Sequence, residues 1–172
     1  LLKTRHPNTL LILAPRHPER AEEIEKLMQR HDHTWSRRSR DETPDTSCDV
    51  WLADTLGEMA LWYSSASASF IGGSLLRGIG GHNPIEASQL GSAVISGEHV
   101  PSFQDVFDVY RTEKAVTFVD DALSLFEAVE DIWAHQGPTA KRGMAAVRQL
   151  SGGALEQTTS ALLALLDEEA EA

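Results

Sequence analysis

The residues best suited to chemistry in this sequence lie between Gly72 and Glu86, GGSLLRGIGGHNPIE. Glycines at 72, 73, 80 and 81 let the backbone take positive φ and come close to a ligand. Asn83 suits an N-cap, Pro84 the first helical position, and Glu86 the third, where its carboxylate can reach back to the cap. A strand, a glycine-rich loop and a helix N-terminus make an anion site, and one carboxylate can hold two neighbouring ribose hydroxyls. The same residues also serve a helix that only needs capping, worth about 1 kcal/mol. Their spacing is neither a Walker A loop nor GxGxxG.

Other groups must decide between those roles. Arg16 follows an apolar run and can meet a phosphate or carboxylate with two parallel hydrogen bonds. Thr55 to Glu58, TLGE, fits a capping box, and Gly57 lets backbone amides approach a ligand. His17 and His82 are candidate acids or bases by residue type, but neither has a visible partner in the sequence. Ser74 and Ser96 lack a nucleophile-elbow context, and Cys48 has no neighbouring base. The seven histidines show no metal-ligand spacing, so no metal is expected. These groups favour nucleotide binding over self-contained catalysis.

The elements that must position them alternate. LLILA at 10–14 reads as a central strand buried on both faces, and Ala21, Ile24, Leu27 and Met28 recur at helical spacing after it. Further strands are expected at 33–36, 50–53, 68–73, 93–96 and 115–119. Helices are expected around Met59 to Tyr63, from Asn83 to Gly91, near 103–110, through Leu123 to Trp133, and near 139–150 and 155–168. Such alternation predicts an α/β fold: a Rossmann-like, doubly wound, parallel six-stranded sheet with helices on both faces. In the order 3-2-1-4-5-6 the switch point lies between the first and fourth strands, which would bring Arg16 to the crevice of Asn83 and Glu86.

Composition bounds the partners. The 172 residues, 41% hydrophobic and 24% charged, fit a single domain spanning the whole chain. No run approaches the roughly 18 apolar residues of a membrane span and no signal peptide is visible, so a soluble domain is expected. One cysteine excludes an internal disulfide. The net charge of −11 argues against nucleic-acid binding. Residues 1–40 nevertheless hold nine Lys/Arg against five Asp/Glu, including Arg16, Arg20, Arg37, Arg38 and Arg40, and this basic part can face an anionic partner or solvent. The chain starts without methionine, as a fragment of a longer protein would.

The ordered set PRHPER (15–20), RRS (37–39), DTLGE (54–58), FIGGS (70–74), GGHNPIE (80–86) and PSFQDVF (101–107) resembles the C-terminal domain of bacterial 3-deoxy-D-manno-octulosonic acid (Kdo) transferases, over about residues 10–135. The resemblance implies half of a two-domain GT-B glycosyltransferase. Such enzymes transfer Kdo from CMP-Kdo to a lipid A precursor at the cytoplasmic face of the bacterial inner membrane, in an inverting, metal-independent reaction without a cofactor. It further implies that Pro15, Arg16, Leu56, Gly57, Glu58, Asn83, Pro84, Ile85 and Glu86 contact CMP. The backbone at 56–58 would read cytosine, Glu86 would hold ribose, and Arg16 with the helix N-terminus would meet phosphate or sugar carboxylate. RGIGGHN at 77–83 is longer than the family's RGGHN. The acceptor-binding N-terminal domain, with the general base and the membrane-associated segment, is expected to be missing, which leaves no catalytic residue here and an inactive isolated domain. Two other readings remain: a UDP-sugar transferase or epimerase domain, and a non-enzymatic Rossmann-like interaction module.

Overall fold

The computed structural model describes residues 1–135 and 138–152, and the chain divides into two units, Leu1–Ala66 and Ser67–Ala172. The first unit contains α1 (Leu2–Arg5), β1 (Leu11–Leu13), α2 (Ala21–Arg30), β2 (Trp35–Arg37), β3 (Val50–Leu52) and α3 (Met59–Ser65). β1 and β2 flank β3, both parallel to it, with Leu13 and Arg37 each opposite Leu52. The apolar face of α2 closes this sheet: Ala21 and Met28 pack with Val50 and Leu52, and Leu13, Ile24 and Trp35 border them.

The second unit holds β4 (Ala68–Ile71), α4 (Ile85–Gln89), β5 (Ala93–Ser96), α5 (Gln104–Thr112), β6 (Val116–Phe118) and α6 (Ala122–His135), and residues 138–152 are helical. Its sheet runs β4-β5-β6, all parallel. Every residue of β5 is buried, as its uninterrupted AVIS pattern requires. α6 covers the sheet through Ala128 and Ile132, which meet Ala93, Ile95 and Val119. Asp121 Oδ1 accepts from Ser124 N–H at 2.8 Å where α6 begins, the capping geometry that its acidic start suggests.

The α/β alternation and parallel pairing agree with the sequence. The single six-stranded sheet does not: the strands form two sheets of three. Nor is the first sheet ordered 3-2-1, because β3 takes the middle. Burial gives the reason. Val50 and Leu52 on β3 are enclosed, whereas Leu11 on β1 is 54% exposed, so LLILA is an edge strand within its sheet rather than a central one. The helix expected at 155–168 lies outside the described residues. Among the described residues no helix is long and apolar enough to cross a membrane.

Candidate functional site

In the first unit three loops leave the carboxyl edge of one sheet. Ala53 N–H donates to Leu13 C=O at 2.9 Å, so the loop carrying Pro15 and Arg16 and the loop carrying Asp54 to Glu58 start side by side. The loop after β2 starts on the other side of β3, because Arg37 is opposite Leu52. Pro15 is half-buried and Arg16 exposed. Leu56 is 82% exposed, and Gly57 has φ +80°, so the turn projects its backbone away from the core.

The five arginines of the basic cluster differ in availability. Arg20 pairs with Glu23, Arg37 with Asp54 and Glu25, Arg38 with Glu58, and Arg40 with Glu25. Arg16 alone of the five has no carboxylate partner among the described residues. The cluster is therefore spent mostly inside the chain, with one guanidinium left over for an anion. His17 sits beside Glu19, Nδ1 to Oε1 3.2 Å, on the exposed surface.

TLGE does not form the expected capping box, since α3 starts at Met59 without a side-chain cap. The Glu58 carboxylate is instead taken by Arg38, whose Nε and a terminal nitrogen donate at 3.2 and 2.8 Å, and by the Thr55 hydroxyl. These bonds, Arg38 foremost, hold the Glu58 carboxyl below its ordinary range. Asp54 is buried and accepts from Arg37 Nε at 2.5 Å, Ser39 N–H at 2.9 Å and Ser39 Oγ–H at 2.7 Å. Burial alone would raise its pKa; the bonds from Ser39 and Arg37 outweigh burial and lower it.

In the second unit the glycine-rich loop is tied to the loop after β5. Ser74 is fully buried; its hydroxyl donates to Ile71 C=O at 2.7 Å and accepts from Gly97 N–H at 2.8 Å. This is a structural use for a serine that showed no nucleophile context. Gly81 N–H reaches Gly73 C=O at 3.0 Å, and Ser102 N–H reaches Gly80 C=O at 3.1 Å. Gly81 must be glycine twice over: φ is +77°, and a Cβ would lie 2.9 Å from Val100 Cγ1. The loop's outer residues Leu76, Arg77 and Ile79 remain exposed.

Asn83 Oδ1 accepts from Ile85 N–H at 2.9 Å, which is the capping bond expected of it, although regular helix starts at Ile85 rather than Pro84. Pro84 is buried beneath this turn, and Tyr110 on α5, also buried, donates to its carbonyl at 3.4 Å. Glu86 does not reach back to the cap. Its side chain is exposed and has no hydrogen-bond or ion-pair partner among the described residues. Asn83 therefore does the capping, and the Glu86 carboxylate is unspent.

Among the described residues, then, the first unit offers a guanidinium without a carboxylate partner and an open turn of backbone, groups suited to an anion and to a flat polar edge, and the second unit offers a carboxylate without a partner, a group suited to hydroxyls. Cys48 is buried, with its thiol directed to Val50 C=O at 3.1 Å, and so is not presented to a ligand. Among the described residues no three His, Cys, Asp or Glu are grouped to hold a metal ion. Sequence reasoning did not foresee that Arg37, Arg38 and Ser39 organise the 54–58 turn. The available signal was the pairing of a basic RRS segment with two carboxylates four residues apart in DTLGE.

No protein-family model matches the chain. It is 37% identical over 130 residues to the 3-deoxy-D-manno-octulosonic acid transferase of Haemophilus influenzae, covering 75% of this chain and 30% of that protein. It is 42% identical over 100 residues to the enzyme of the same name from Bordetella pertussis, covering 58% of this chain and 23% of that protein. Both are matched over less than a third of their length. Among solved structures, the crystal structure of the C-terminal CMP-Kdo binding domain of WaaA from Acinetobacter baumannii matches with a TM-score of 0.80 and 29% identity, over 84% of this chain and 77% of that one.

Proposed function

We propose that this chain, a relative of the Kdo transferases by sequence and of their CMP-Kdo-binding domain by fold, is the donor-binding part of such a glycosyltransferase. The full protein would then transfer Kdo from CMP-Kdo to a lipid A precursor in lipopolysaccharide synthesis at the inner membrane. The observation that carries this reading is the fold match over 84% of the chain to a domain whose described role is CMP-Kdo binding. The state of Arg16 and Glu86 supports it, because both are the kind of group a nucleotide needs and neither has a side-chain partner among the described residues.

Each unit contributes contacts of its own in this reading. In residues 1–66, Pro15 and Arg16 meet the phosphate or the sugar carboxylate, and the backbone of Leu56, Gly57 and Glu58 reads the cytosine edge. In the second unit Asn83, Pro84, Ile85 and Glu86 contact the nucleotide, with the Glu86 carboxylate on the two ribose hydroxyls. Departing CMP carries a phosphate dianion, so a guanidinium and backbone amides placed on it stabilise the leaving group more than the bound donor. The acceptor and the base that activates its hydroxyl belong to the rest of the full-length protein.

Glu86→Ala tests the ribose assignment. Because capping rests on Asn83, the variant should melt as wild type does while CMP affinity falls about tenfold or more, the value of hydrogen bonds to a charged group. Unchanged affinity in a chain that binds CMP would remove Glu86 from the site.

A further inference from the structure

Resting on the donor-binding reading above, we propose that Arg37 and Arg38 are positioning residues that pre-form the 54–58 turn as a rigid backbone edge for the nucleobase, and that the Glu58 side chain itself makes no ligand contact. Backbone bonds tie the ends of the turn to β1 and α3, but among the described residues its tip is uncovered. Leu56 is 82% exposed, and a Cβ placed on Gly57 would meet nothing within 4 Å, so no packing covers it. A free peptide turn of this kind would sample many conformations, and a ligand that ordered it would lose affinity accordingly.

Both ends are instead clamped from one short segment. At one end Asp54 takes three hydrogen bonds, from Arg37 Nε, Ser39 N–H and Ser39 Oγ–H. At the other, Glu58 takes the two-pronged Arg38 guanidinium, and the Thr55 hydroxyl ties the carboxylate back across the turn. The clamp is itself anchored. Arg37 also donates to Glu25 at 3.0 Å, and Glu25 on α2 is further held by Arg40 at 2.7 Å and by Trp35 Nε1–H at 3.0 Å. A half-exposed pair such as Arg38 with Glu58 adds little to stability. Its geometric effect is larger, because a planar guanidinium on a carboxylate fixes direction as well as distance.

With both Glu58 carboxylate oxygens engaged by Arg38 and Thr55 and held in that direction, what the open tip of the turn offers is main-chain N–H and C=O. Cytosine presents an amine donor beside a ring-nitrogen acceptor, and uracil presents the reverse. A rigid edge that satisfies one leaves polar groups of the other unpaired, which is how a site built on hydrogen bonds discriminates. The clamp is therefore a determinant of base choice.

The experiment uses the 172-residue chain with Arg38→Met and Arg38→Lys, titrated with CMP and with UMP, alongside amide hydrogen exchange of Gly57 and Glu58. Arg38→Met should melt as wild type does, exchange faster at those amides, bind CMP about tenfold more weakly and show a smaller CMP-to-UMP preference. Arg38→Lys should recover part of the affinity, since an ammonium engages the carboxylate without the fork. Unchanged exchange in Arg38→Met would overturn the clamp. Faster exchange with unchanged CMP affinity would overturn its role in base reading. Absence of CMP binding by wild type would overturn the functional reading together with that role, while hydrogen exchange would still report on the clamp separately.

Discussion

Asp54 and Glu86 show how the same kind of side chain is used in opposite ways. Asp54 is buried and fully bonded, so Asp54→Asn, which leaves Arg37 facing a neutral amide in a half-buried site, should destabilise the chain by about 3 kcal/mol in urea unfolding at neutral pH. The pH dependence follows from the lowered pKa. A carboxylate whose folded pKa lies below its unfolded value of 3.8 stabilises the fold at higher pH and loses that contribution as pH falls through the folded value. The stability gap between wild type and Asp54→Asn should therefore be full at pH 7 and close below about pH 4. Glu86 is exposed and without a partner among the described residues, so Glu86→Ala should cost no measurable stability at neutral pH in urea unfolding. Asn83→Ala should cost about 1 kcal/mol, because the capping bond to Ile85 is its own.

At the scale of elements, the glycine-rich loop is held by a few short bonds. Ser74→Ala removes a buried hydroxyl and leaves the Gly97 amide without its acceptor, an expected loss of about 1–3 kcal/mol measured by urea unfolding. Gly81→Ala should do comparable harm by strain, because its positive φ and the nearby Val100 both exclude a side chain. Much of this level was legible in the sequence. The β–α alternation, the Asn83 cap and the extent of β5 follow from apolar runs and turn residues, which act locally, while β4 and β6 are each two residues shorter than expected. Strand order was not legible. Whether LLILA lies at the middle or the edge of a sheet depends on which distant strand pairs with it, and Val50 to Leu52, only three residues long, took the middle. The capping-box pattern in TLGE misled for a similar reason: Arg38, twenty positions away from Glu58, claims the carboxylate that the local pattern assigned to the helix.

For the molecule as a whole, the chain spans about a third or less of the curated relatives it matches. Transfer of Kdo needs an acceptor site and a base beyond these residues in our reading. The 172-residue chain should show no transfer to a lipid A precursor in a radiolabelled product assay, even where it binds nucleotide. Turnover by the chain alone would mean that a base has been overlooked within it. The central claim, that this is a cytidine-nucleotide-binding domain, is tested most directly by calorimetric titration of the purified chain with CMP and with UMP at concentrations up to about the millimolar range, where even weak half-site binding of roughly −4 kcal/mol registers. Saturable binding of CMP in clear preference to UMP is the predicted result. Preference for UMP, or no binding of either nucleotide, would contradict it.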